Sequence, residues 1–190
     1  IERGITIGGK SLKEHFEAIN PKKAMDFVES LIQKKERFTE DNLLALHGLI
    51  LKDIEGIERG QYRTRNVYVE GAKFIPVDAF EVPARMKDFF HWYRISKKKM
   101  HPIELSAVAH HKIVYIHPFQ DGNGRAARLV MNLMLMRAGY PPTVILKNDR
   151  KKYYRRLAEA DSQVLKPFVT FVARNVERSL DIYLRAVSYT

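Results

Sequence analysis

Apolar residues recur at helical spacing through most of this chain, and the stretches that break the rhythm are where its chemistry lies. Ile1 to Lys10, with Gly4, Gly8 and Gly9, forms a loop or frayed end, after which Ser11 caps a short helix with Glu14 placed for the return bond. Asn20-Pro21 starts a new helix, since proline suits a first turn, and Ala24, Phe27, Val28, Leu31 and Ile32 carry its stripe to about Glu36. Thr39 caps the next, whose stripe is Leu43, Leu44, Leu46, Leu49 and Ile50. Helical period returns at Glu81 through Met86, Phe89, Phe90 and Tyr93, with Pro83 tolerated in the first turn. A helix from Pro102 runs with Leu105, Val108, Ala109, Ile113 and Val114 to Ile116, where His117-Pro118 ends it, because a residue before proline is pushed out of helical geometry. The run RAARLVMNLMLMRA after Gly124 is apolar nearly all round, as in a buried helix, and Gly139 with Pro141-Pro142 stops it. A basic helix from about Asp149 to Asp161 and a last one from about Lys166 to Ala186 complete the chain.

Between Glu55 and Val82 the period changes. Gly56, Gly60 and Gly71 punctuate it, and β-prone runs at Asn66 to Val69 and Lys73 to Val77 flank Glu70-Gly71-Ala72, a glycine-containing connection that signals a hairpin. Two strands alone are only marginally stable, so this flap must lean on the helices.

A chain of 190 residues fits one domain with a core of its own. The absence of cysteine excludes disulfides and thiolate zinc sites. No apolar run approaches the roughly 20 residues of a membrane span, and no signal peptide is visible, so a cytoplasmic protein is expected. Ile1 in place of methionine points to a segment upstream of this numbering. Lys and Arg outnumber Asp and Glu by 33 to 22, and the resulting positive field favours phosphate-bearing or acidic partners. The charge is spread along helical faces except at Lys97-Lys98-Lys99, expected in an exposed interhelical loop, and in Arg150 to Arg156. The latter, RKKYYRR, mixes aromatics with charge as nucleic-acid contacts do.

The densest chemistry lies in HPFQDGNGRAAR, His117 to Arg128. A Gly-Asn-Gly turn opening a helix presents unpartnered N–H groups at the positive end of its dipole, an anion cradle. Arg125 and Arg128, three residues apart on one helix face, suit phosphate oxygens. Asp121 suits Mg²⁺, which takes one or two carboxylates beside phosphate oxygens. His117 is placed to take a proton from an incoming hydroxyl. Singly, each residue has a plain alternative: a helix-end cap, two turn formers, two surface arginines. Together they describe nucleotidyl or phosphoryl transfer.

The stretch also resembles the Fic family signature H-x-F-x-[DE]-G-N-G-R-x-x-R, with every fixed position matched. The likeness extends from about Gly60 through GQYR, YIHPF, RLVMNLMLMRAGYPP, KNDRKKYYRRLAEAD and KPFVTFV, and is greatest toward the animal-like Fic enzymes. It implies an all-α fold, a Fic-type helical bundle with a small β-hairpin flap, and transfer of AMP from ATP to a Ser, Thr or Tyr hydroxyl of a target protein with release of pyrophosphate. His117 would then be the base and Asp121 the ligand of Mg²⁺ or Mn²⁺. Gly122, Asn123 and Gly124 would hold the α- and β-phosphates, Arg125 the β- and Arg128 the γ-phosphate, while Phe119 anchors the loop to the core. Val67, Tyr68, Val69, Phe74, Ile75 and Pro76 would dock the target by main-chain pairing, and Tyr153 or Tyr154 would lie near the adenine.

The resemblance divides the chain into an N-terminal helical part, 1–58, and a core, 59–190, holding the flap at 60–77 and the loop and helix at 117–138. Relatives that transfer phosphate carry Lys where Gly124 stands, which disfavours that reaction. The inhibitory pattern Ser/Thr-x-x-x-Glu-Gly/Asn is missing, since TFVARN at Thr170 to Asn175 carries Arg174 at the acidic position. ERGITIGGKSLKEH resembles the connector that follows the inhibitory helix, which is therefore expected upstream of Ile1. An enzyme with that helix could instead remove AMP, or do both. The remaining rival is a nucleotide- or nucleic-acid-binding module without catalysis; nucleic acid is the less expected partner, whereas self-modification and a homodimer are compatible with the resemblance.

Overall fold

The computed structural model describes residues 12–54, 56–71 and 74–188. Among them lie seven α-helices: α1 (Leu12–Gln33), α2 (Glu40–Ile50), α3 (Val82–Ser96), α4 (Pro102–Ile116), α5 (Asn123–Arg137), α6 (Arg150–Asp161) and α7 (Lys166–Ser188). No helix among the described residues is long and apolar enough to cross a membrane. The expected opening loop and the Ser11 cap lie outside the described residues.

Most boundaries follow from local chemistry. Thr39 caps α2 through a reciprocal pair with Asn42, whose N–H donates to Thr39 Oγ1 at 3.3 Å while Thr39 N donates to Asn42 Oδ1 at 3.0 Å. Proline stands in the first turn of both α3 and α4. The turn after α3 exposes Lys97, Lys98 and Lys99. One expectation fails at Pro21, which lies inside α1 instead of starting a helix. Proline removes one helical bond there, but Asn20 beside it is fully buried and its Nδ2 donates to the carbonyls of Ile50 at 3.3 Å and Lys52 at 2.6 Å. That anchorage of α1 on the end of α2 outweighs the missing bond.

α5 is the wall between two apolar clusters. Its Ala126, Ala127, Val130 and Leu133 join α1, α2, α3 and part of α4 in the larger one, together with Phe119. Met131 and Leu135 face Tyr153 and Leu157 of α6 and Phe168, Phe171 and Val172 of α7 in the other. Residues of the 1–58 part and of the remainder thus share one core.

The hairpin is the second departure. No β-strand occurs among the described residues, and Ala72 and Lys73 lie outside them. Residues 67–70 still alternate between half-buried and exposed, as an extended segment must. In place of a ladder, side chains clamp the base of the flap. Asn66 Nδ2 donates to Asp78 Oδ1 at 2.8 Å, and Ala79 N donates to Asn66 Oδ1 at 2.7 Å. Arg63 donates to the carbonyls of Arg65, at 3.1 Å, and Val77. Phe74 stacks on Tyr115 of α4 at 5.0 Å, giving the flap the helical support it needs.

Candidate active site

Helix α4 leads into the loop through His117, which leaves right-handed helical geometry for the left-handed region, φ 53 and ψ 58. For a residue with a side chain this costs of order 1–3 kcal/mol, so the surroundings must hold it. They do so from both sides. His117 N donates to Ile113 O at 3.0 Å, and the His117 carbonyl accepts from Arg63 Nε at 2.8 Å.

Beyond it the loop is fixed from within. Phe119 is fully buried and stacks on His47 of α2, with centroids 3.7 Å apart and planes 6° from parallel. Asn123 closes the turn: its Nδ2 donates to Phe119 O and its Oδ1 accepts from Phe119 N, both at 2.9 Å. The side chain of Asn123 is therefore spent on the loop, and only its backbone N–H is available to a ligand. Gly122 has φ 80, and a Cβ there would lie 3.3 Å from the His47 ring, so glycine is required by conformation and by space. His47 Nε2 donates to Asp121 O at 2.9 Å and its Nδ1 accepts from Gly60 N at 3.1 Å. Partners that can only accept or only donate fix this tautomer. Burial lowers the pKa of His47 to about 4, so the strut is neutral.

On that base stand the candidate groups. His117 Nδ1 donates to Val114 O at 3.2 Å, which leaves the lone pair on Nε2. Burial lowers its pKa, and the Arg63 charge adds to this against the opposing effects of the Val114 bond and Asp121, so the ring is a neutral base. Asp121 accepts from Gly122 N at 2.6 Å and from Arg125 Nη2 at 2.9 Å, with its carboxylate half exposed. The first helical bond of α5 is that of Ala126 to Gly122 O, so the N–H groups of Asn123, Gly124 and Arg125 have no helical acceptor and form the anion cradle. Arg128 folds back so that a Cβ on Gly124 would stand 3.3 Å from its Nη1. Both arginines line a cleft of about 230 Å³ with Leu129, Asn132 and Thr143.

This geometry has known counterparts. The Fic/DOC family matches residues 37–135, just over half of the chain. The chain belongs to the Fic/DOC family. It is 41% identical over 191 residues to the protein adenylyltransferase Fic of Nematostella vectensis, covering 99% of this chain and 44% of that protein. Fic-1 of C. elegans superposes with a TM-score of 0.87 at 37% identity, covering 99% of this chain and 56% of that one. A Fic domain containing signaling protein from Bacteroides thetaiotaomicron does so with a TM-score of 0.89 at 32% identity, covering 96% and 76%. The chain spans about two fifths of the length of the curated relatives it matches.

In this Fic chain the sequence-predicted residues from His117 to Arg128 converge, whereas the two tyrosines part. Tyr153 is buried in the second core, its hydroxyl 3.2 Å from His110 Nε2, and burial raises its pKa to about 12. It lies close enough to Arg128 to feel that charge from within the second core. Tyr154 is exposed, with the Arg150 guanidinium 5.6 Å from its ring centroid. The spacing of Tyr153, Leu157 and Ala160 carried the signal that Tyr153 faces inward. Sequence reasoning missed His47 and Arg63. The bonds that tie them to the loop and to Gly60 reach backbone atoms 13 to 74 residues away, and no local pattern announces such a bond.

Proposed function

We propose that this Fic chain is a protein adenylyltransferase that moves AMP from ATP to a Ser, Thr or Tyr hydroxyl of a target protein. The observation that carries the proposal is the free Nε2 of His117, made available by the Val114 bond on a loop that also ends in an anion cradle. The target oxygen attacks the α-phosphorus as His117 Nε2 takes its proton. The bond from the α-phosphorus to the bridging oxygen breaks, and pyrophosphate leaves. Cradle amides and Arg125 stabilise the α- and β-phosphates, and Arg128 takes the γ-phosphate.

Asp121 suits Mg²⁺ or Mn²⁺. Among the described residues no three acidic or histidine groups converge to cage a metal unaided. An ion of this kind is usually held by one or two carboxylates and the phosphates, and the half-exposed Asp121 beside the cradle meets that demand. When bound, the ion supplies charge neutralisation for the phosphates.

The flap docks the target in this reading. Tyr68 and Ile75 are 86% and 77% exposed, and a groove of about 320 Å³ runs between Thr64, Arg65, Asn66 and Val67 on one side and Gln120 on the other. Extended backbone there offers main-chain pairing with little demand on target sequence. Tyr154, exposed on α6, is the tyrosine available to adenine.

Label transfer from ATP tests the reading, with the chain itself and a lysate as acceptors. Label from the α-phosphate alone, lost in His117→Ala while ATP affinity stays within about twofold, is the expected result, and general-base loss predicts a fall of about 10²–10⁴ in rate. Label from the γ-phosphate makes the chain a kinase and overturns it.

A further inference from the structure

Arg63 is 3% exposed, and no ion pair is formed by its guanidinium among the described residues. Each of its nitrogens is instead committed to a backbone carbonyl: Nε to His117 at 2.8 Å, Nη1 to Arg65 at 3.1 Å, and Nη2 to Val77. Its own N–H donates to Pro118 O at 2.9 Å. One side chain thus ties together both arms of the flap and the loop that carries the base. Burying a cation is costly, with the charge of Asp78 offsetting only part of it here, and neutral donors can satisfy single carbonyls without that cost. Only a planar fork with donors in fixed directions reaches three carbonyls on three segments at once.

We propose that Arg63 is a positioning residue for the transfer reaction, holding His117 in its left-handed conformation and setting the flap in register with the loop, so that docked hydroxyl and base meet. This rests on the adenylyl-transfer reading. A plain structural role would also stabilise the loop, so the test must separate position from stability.

Three variants do this. Arg63→Gln removes the fork and its charge. Arg63→Lys keeps the charge, but one ammonium nitrogen cannot span three carbonyls. Asn66→Ala loosens the same flap base without touching the loop. In Arg63→Gln, kcat is expected to fall about 100-fold, the scale of a small misplacement of reacting groups, with a raised KM for target and ATP affinity within about twofold of wild type. Arg63→Lys does not restore kcat, and Asn66→Ala raises the target KM alone.

The groups bearing on the His117 ring are Arg63, Asp121 and the Val114 carbonyl. Removing the positive charge raises the imidazole pKa, so the acid limb of kcat/KM moves to higher pH in Arg63→Gln and stays in Arg63→Lys. Nitrogen shifts of the imidazole read the same ring without turnover: the Nδ1-protonated tautomer is expected to give way to a mixture in both Arg63 variants. Failure of the wild type to transfer AMP would refute the function, and the tautomer would still decide the positioning role. Wild-type kcat, acid limb and tautomer in a folded Arg63→Gln, or wild-type kcat and tautomer in Arg63→Lys should the first not fold, overturn the proposal.

Discussion

The loop from His117 to Gly122 and the flap from Gly60 to Val77 hold no helix or strand among their described residues, yet they are built on opposite principles. The loop is stitched into the core: Phe119 is fully buried, Asn123 holds both backbone groups of Phe119, and His47 holds Asp121 from below. The flap is tied at its base and leaves its outer positions, Tyr68 and Ile75, in solvent. On the proposed reading, the contrast follows from what each would do. A base needs its lone pair aimed before substrate arrives, which requires every neighbouring bond to be spent. A main-chain docking edge needs its N–H and C=O groups unspent. Rigidity in one and openness in the other are the same chemistry with the bonds differently allocated.

Paired substitutions sharpen that contrast. Phe119→Ala is expected to cost about 3–5 kcal/mol of stability and to abolish ATP binding, whereas Tyr68→Ala should stay within about 0.5 kcal/mol and raise only the target KM. Urea titrations of the two check this, and equal losses would break the comparison. Next in size are the glycines. Gly122 and Gly71 share positive φ, so alanine strains both by about 1–2 kcal/mol. At Gly122 alone the new Cβ meets the His47 ring, while nothing lies within 4 Å at Gly71. Thermal melts should therefore separate Gly122→Ala from Gly71→Ala by a further ~1 kcal/mol or more.

Acid acts gradually, over several pH units. His47 has a folded pKa of about 4 against an ordinary 6.5, so the unfolded chain binds the proton first. Its contribution is complete above the ordinary value and is lost as pH falls through about 4. His110, lowered to about 3 by full burial, acts in the same direction. Denaturant midpoints should fall across that window with a slope of at most about 1.4 kcal/mol per pH unit for each ring, and less steeply in His47→Gln. The flap carries no histidine, so an equal pH response in target affinity would argue against a purely loop-centred origin.

Helices with capped ends and proline starts were legible in the sequence, because residues such as Thr39, Pro83 and Pro102 act within a turn of themselves. Asn20-Pro21 misled because the bond that decides it reaches across to Ile50 and Lys52. The hairpin was read from alternation and a glycine turn; the alternation holds over residues 67–70, but no strand occurs among the described residues and Arg63 and Asn66 join the arms. For the site the reverse held. His117 to Arg128 are contiguous, so their convergence could be seen in one dimension, while the struts that hold them, His47 and Arg63, bind backbone atoms whose chemistry is the same at every residue.

The wall formed by α5 has a consequence for how the molecule opens. A helix shared by two apolar clusters cannot detach without exposing both, so the amides of its middle turns should exchange with solvent only through unfolding of the whole chain. The phosphate cradle is the first turn of that helix. On the proposed reading, nucleotide would meet a turn anchored to this slowly opening helix, and local fluctuation of the surrounding loops would leave its donors where they stand.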